Sequence, residues 1–145
     1  MAASSFVQSN TQKGRVTKQA STNLTGLEGT LVSLVNGTGM GQVTTTGAGA
    51  QPHFVILEGG TNVGNSTLLN ETTNDLADVS LLPLTNDQQI RVISTGSINS
   101  GVEVQSDASG QAVPASSGNW VFGITEESTV ANQYALIRPI GPYKK

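Results

Sequence analysis

Apolar residues along this chain come in short runs of three to six, set between glycine, asparagine and serine clusters, and that spacing predicts strands rather than helices. Leu31 to Val35 is the first clear run. Asn36-Gly37 follows it as a hairpin signal, because both central positions of a tight hairpin turn need positive φ, and the glycines at 39 and 41 widen the loop. Gln42 to Thr46 then returns as a partner strand, Gly47 to Pro52 breaks the pattern, and Phe54 to Leu57 opens another strand. Residues 59–78 are polar and loosely patterned, anchored only by Leu68-Leu69 and Leu76-Ala77, with at most one helical turn near Thr72 to Ala77. Strands resume at Val79 to Leu84, where Pro83 suggests a sheet edge, and continue at Gln89 to Ser94. Val102 to Gln105 alternates cleanly, Trp120, Phe122 and Ile124 share one strand face, and Tyr134 to Ile137 completes the body. Short strands with turns between them predict an all-β fold, a small β-barrel or β-sandwich.

The pattern occurs twice. Gly29-Thr-Leu-Val-Ser-Leu, a Gly/Asn turn, Gly41-Gln-Val and Phe54-Val-Ile-Leu-Glu58 are matched by Gly101-Val-Glu-Val-Gln-Ser, a turn, Gly110-Gln-Ala-Val113 and Phe122-Gly-Ile-Thr-Glu126. Val63-Gly-Asn65 and Val130-Ala-Asn132 then lead into similar ends, which places two β-units at about 29–70 and 100–140 inside a single β-domain, 27–145. A repeat reproduces shape, whereas catalysis needs a particular constellation, so a binding or structural module is expected. Residues 1–26 are too polar to collapse alone and are expected to form an extended N-terminal arm.

Composition sharpens this picture at a few points. Aromatic residues make up 4% of 145 residues, so the core must be built from Val, Ile and Leu. There is no Cys, which removes both disulfide staples and thiolate metal sites. The start, Met-Ala-Ala-Ser-Ser-Phe-Val-Gln, lacks the pattern of a secretory signal, and no apolar run is long enough to cross a bilayer. A soluble protein made in a cytoplasm is expected, with no membrane partner. Asn65-Ser-Thr67 and Asn70-Glu-Thr72 then read as products of an Asn/Thr-rich sequence rather than glycosylation sites.

The net charge is −3, which argues against nucleic acid as a partner. Lys13, Arg15 and Lys18 lie near the start, Arg138, Lys144 and Lys145 near the end, and every acid falls between Glu28 and Glu127. The body is acidic and its two ends are basic.

Candidate chemistry is sparse. Gly59 to Ser66 has the spacing of a phosphate loop, but Asn65 stands where the lysine is needed, so it reads as a polar loop. His53 is the single histidine, and its neighbours Pro52 and Phe54 offer no catalytic or metal-binding partner. Glu126 and Glu127 are adjacent, so on a strand they point to opposite faces. Asn119-Trp120 could stack on a sugar, yet Trp120 shares its face with Phe122 and Ile124, which favours burial. No enzyme and no cofactor is expected.

The segment Gly101 to Glu127, with Gly110, Val113, Pro114, Ala115 and Gly123-Ile124 at matching places, resembles the small capsid decoration, or cement, proteins of tailed phages. The resemblance covers about residues 100–140 and, through the duplication, 29–70. It implies a β-barrel or tulip-like fold, a homotrimer, and attachment to the major capsid protein on the outer surface of an icosahedral head. On that reading Phe6 and Val7 anchor the arm on a neighbouring subunit. Lys13, Arg15 and Lys18, together with Arg138, Tyr143, Lys144 and Lys145, form the capsid or protomer interface. A tail- or fibre-associated adhesin or carbohydrate-binding module is the alternative, and a minor hydrolase would need a second residue near His53.

Overall fold

The computed structural model describes residues 16–22, 24, 26–36, 41–57, 78–85 and 88–145, and among them every regular element is a strand. The strands are β1 (Val16–Gln19), β2 (Leu31–Leu34), β3 (Val43–Thr45), β4 (Phe54–Ile56), β5 (Asp78–Pro83), β6 (Ile90–Ile93), β7 (Glu103–Ser106), β8 (Ala112–Pro114), β9 (Trp120–Thr125) and β10 (Tyr134–Lys144). They form two five-stranded sheets of order β1-β5-β4-β2-β3 and β6-β10-β9-β7-β8. The fold is all-β, a small barrel or sandwich assembled from two sheets of identical topology.

The identity extends to register. Val16 faces Leu81 as Ile90 faces Ile137, Val32 faces Phe54 as Val104 faces Gly123, and Phe54 faces Pro83 as Gly123 faces Pro139. Leu34 faces Val43 as Ser106 faces Ala112. Each sheet also curls until its two outer strands meet: Ala20, just past β1, bridges Val43 in parallel, and Ser94, just past β6, bridges Ala112. Equivalent backbone bonds reinforce the match, with Gly29 N–H donating to Ile56 O at 2.8 Å and Gly101 N–H to Thr125 O at 2.7 Å. The β2–β3 and β7–β8 turns end on Gly41 and Gly110, at φ 67° and 75°, a left-handed conformation that costs glycine nothing.

Alternation along the strands explains how the units pack. In the first sheet Val32, Ile56 and Leu81 enter one cluster with Ala20, Leu24, Val43 and Val79. Their neighbours Leu31, Val55 and Leu82 point the other way, into a second cluster with Ile90, Val92, Val104, Ala112, Ala135 and Ile137 of the second sheet and Ile98 beside it. The first sheet is therefore buried on both faces. The residues that correspond in register to Leu31, Val55 and Leu82 are Glu103, Ile124 and Arg138, half-buried or exposed, so the second sheet keeps one face toward water. Backbone bonds cross the junction, from Leu31 N–H to Gly110 O (2.8 Å), Ile93 N–H to Gly29 O (3.0 Å), Gly49 N–H to Ser106 O (2.9 Å) and Trp120 N–H to Gly49 O (3.0 Å).

Four expectations change. The arm assigned to residues 1–26 includes β1, which pairs with β5, and Ala20 and Leu24, which are fully buried, so the stretch from Val16 belongs to the body. Tertiary pairing decides this where local hydrophobicity is low. Pro83 does not mark a sheet edge: β5 lies between β1 and β4, and Pro83 is tolerated as its last residue, past the Val16–Leu81 pair where a donor to β1 would be needed. The first unit extends past residue 70 to β5, and the register partner of Phe54 in the second unit is Gly123 rather than Phe122. The phosphate-loop-like segment, the Thr72 to Ala77 turn and the two Asn-x-Thr triplets lie outside the described residues.

Candidate interaction surface

The exposed face of the second sheet gathers most of the charge described near the C-terminus. Register sets Glu103, Ile124 and Arg138 in one row across β7, β9 and β10, and Trp120 beside Lys144. Arg138 Nε lies 3.6 Å from Glu126 Oε1, and Gln89 Nε2 donates to the same oxygen at 2.9 Å. Lys145 Nζ lies 3.0 Å from Glu103 Oε1, while Lys144 Nζ sits 5.8 Å from the centre of the Trp120 ring. The last residue is also held through its backbone: Gly118 N–H donates to Lys145 O at 2.7 Å and Lys145 N–H to Asn119 O at 3.0 Å. Tyr143 is 38% exposed on the same strand. The structure thus brings Arg138, Tyr143 and Lys144 onto β10, with Lys145 just past its end, and couples three of the four to Glu126, Trp120 and Glu103 within the chain. These pairs are solvent-accessible and individually weak.

The basic residues of the other end are placed differently. Lys18 is half-buried on β1 opposite Val79, in the first unit. Phe6, Val7, Lys13 and Arg15 lie outside the described residues.

A cleft between the two units was not visible in the sequence. It is lined by Gln51, Pro52, His53 and Leu84 from the first unit and by Phe122, Ile140 and Pro142 from the second. His53 and Phe122 occupy equivalent register positions, as do Leu84 and Ile140, so the cleft forms where matching corners of the two sheets meet. The second wall is shaped by a bulge: Pro139 faces Gly123 and Tyr143 faces Val121, which leaves Ile140-Gly141-Pro142 opposite Phe122 alone. A Gly-Pro interruption inside an apolar strand end was the available signal. His53 Nδ1 accepts the Leu34 N–H at 3.0 Å and its ring meets Phe54 edge-on at 6.5 Å, which gives this histidine a structural partner. Among the described residues no group of three His, Cys, Asp or Glu side chains is placed to hold a metal ion. Trp120 is half-buried and Phe122 buried.

Two of the buried polar side chains, Thr125 and Gln105, find partners close by. Thr125 Oγ1 donates to Asn99 O at 2.6 Å and accepts from Val102 N–H at 3.0 Å, and Gln105 Oε1 accepts from Ser116 N–H at 2.7 Å and Asn119 Nδ2 at 3.1 Å. They serve the turns that support the exposed face.

In sequence, no family model and no curated protein matches the chain. In structure, it is similar to the head fiber gp8.5 N base of bacteriophage phi29, solved by crystallography, with a TM-score of 0.63 and 20% identity over 88% of this chain and 93% of that one. The likeness is one of fold.

Proposed function

We propose that this chain is a structural protein of a phage virion and that it acts as a decoration, or cement, protein on the outside of the head. The observation that carries the reading is the fold likeness to a phage head fiber base across nearly the whole of both chains. The resemblance of Gly101 to Glu127 to decoration proteins points the same way, and the acidic body favours a protein partner over packaged DNA. In this reading the partner is the major capsid protein, and the exposed face carrying Glu103, Ile124, Trp120, Arg138 and Lys144 is the contact surface. Paired charges around a few half-buried apolar groups suit a polar interface that forms reversibly and loosens with salt. A homotrimer would multiply weak contacts at each lattice position.

A second reading is favoured by what that structural neighbour is: the base of a head fiber, in which this unit would anchor a longer appendage to the head. Both readings place the protein on the head, and they differ in whether it reinforces the shell. Purified protein added to heads that lack it should co-sediment with them and raise their heat resistance, and light scattering of the free protein should give three times the chain mass. Co-sedimentation without any gain in heat resistance would favour the fiber-base reading. No binding to heads would overturn both.

A further inference from the structure

We propose that the cleft between the two units is the docking site of this chain's own N-terminal segment, with Phe6 and Val7 as the side chains that enter it. The cleft exposes an apolar wall to water: Leu84 and Ile140 are half-buried and Pro142 is exposed, above buried Pro52 and Phe122. Such a surface gains stability when an apolar side chain covers it.

The geometry of β1 selects the occupant. β1 and β5 are antiparallel with Val16 opposite Leu81, so β1 begins at the Leu82–Leu84 end of β5. Leu84, next after the Pro83 that pairs with Phe54, is a cleft wall residue, so the chain preceding Val16 starts on the cleft side of the sheet. From Val16 back to Phe6 an extended chain reaches roughly 33 Å, against the roughly 10 Å that separates packed sheets, so Phe6 and Val7 are within reach of the far wall of Phe122 and Ile140. Beyond Met1 and two alanines, they are the apolar side chains available before Val16. The bulge at Ile140-Gly141-Pro142 breaks the regular pleat of the far wall at the level of Phe122, where Ile140 and Pro142 line the cleft.

A segment seated there touches both units at once. It would hold the first unit's β4–β5 corner against the second unit's β9–β10 corner, which adds to the backbone bonds at the junction. The segment has no acid and carries Lys13 and Arg15, so its polar flank stays in water while Phe6 and Val7 are covered.

The test is photo-cross-linking of the full chain with Phe6→p-benzoylphenylalanine. The expected result is an adduct within the monomer mass, mapped to peptides containing Leu84, Phe122 or Ile140, together with slow tryptic cleavage after Lys13 and Arg15. Ile140→Arg, checked for a native circular dichroism spectrum, should lose the adduct and speed that cleavage. An adduct elsewhere in the body overturns the proposal, and so does one at twice the chain mass, which would put the segment in a neighbour's cleft. If Ile140→Arg does not fold, the mapped adduct on the otherwise native body still decides the question.

Discussion

Gly41 and Gly110 occupy equivalent places in the two units, each in a left-handed conformation, φ 67° and 75°, so alanine at either position carries the same backbone penalty of about 1–2 kcal/mol. Their surroundings differ because Gly110 is packed against the other unit's backbone. A Cβ at Gly41 would meet nothing nearer than Lys18 Nζ at 3.6 Å, an ordinary contact with a flexible side chain. At Gly110 it would lie 2.6 Å from the Leu31 carbonyl oxygen and 3.2 Å from its nitrogen, whose N–H donates to Gly110 O at 2.8 Å. The overlapping atoms are backbone, so relief requires the two sheets to separate or the junction bond to lengthen. Overpacking of this kind adds about 1–3 kcal/mol, which brings Gly110→Ala to about 2–5 kcal/mol with the backbone penalty included. Thermal unfolding followed by circular dichroism should show a loss of roughly 3–6 °C for Gly41→Ala and roughly 6–15 °C for Gly110→Ala. Equal losses for the two variants would refute the claim that unit-on-unit packing at this turn stabilises the molecule.

Other outcomes follow from the asymmetry between the faces of the two sheets. Leu82→Ala should cost about 2–5 kcal/mol in urea unfolding, whereas alanine at its register counterpart, Arg138, should cost no more than about 1 kcal/mol. Phe122→Ala removes the largest fully buried side chain among the described residues and should cost about 3–5 kcal/mol. Glu103→Gln, which breaks the ion pair with Lys145, should destabilise by less than about 1 kcal/mol, with the difference fading in high salt.

Much of the β-architecture could be read from residue order. The runs at Leu31, Phe54, Val79, Gln89, Val102, Trp120 and Tyr134 all became strands, because alternation on a half-buried pleat leaves a direct trace in sequence. The repeat was legible where glycine marks a required conformation: the pairings of Gly29 with Gly101 and Gly41 with Gly110 coincide with the register. It slipped by one residue at Phe54, where aromatic identity suggested Phe122 while hydrogen-bond register selects Gly123, a position whose Cβ would collide with Ile137. β1 was missed because Val-Thr-Lys-Gln has a single aliphatic residue and owes its strand to β5. The cleft was illegible for a different reason. Its walls come from residues far apart in the chain, joined only once the sheets pack.

The account rests most heavily on the position of this protein in a particle, and electron cryomicroscopy of purified virions that carry it is the direct measurement. The predicted result is density for the paired β-sheets on the outer surface of the head, in contact with the major capsid protein through the face bearing Glu103, Trp120 and Arg138. Virions in which that density is found only on the tail, or nowhere on the particle, would contradict the proposed function.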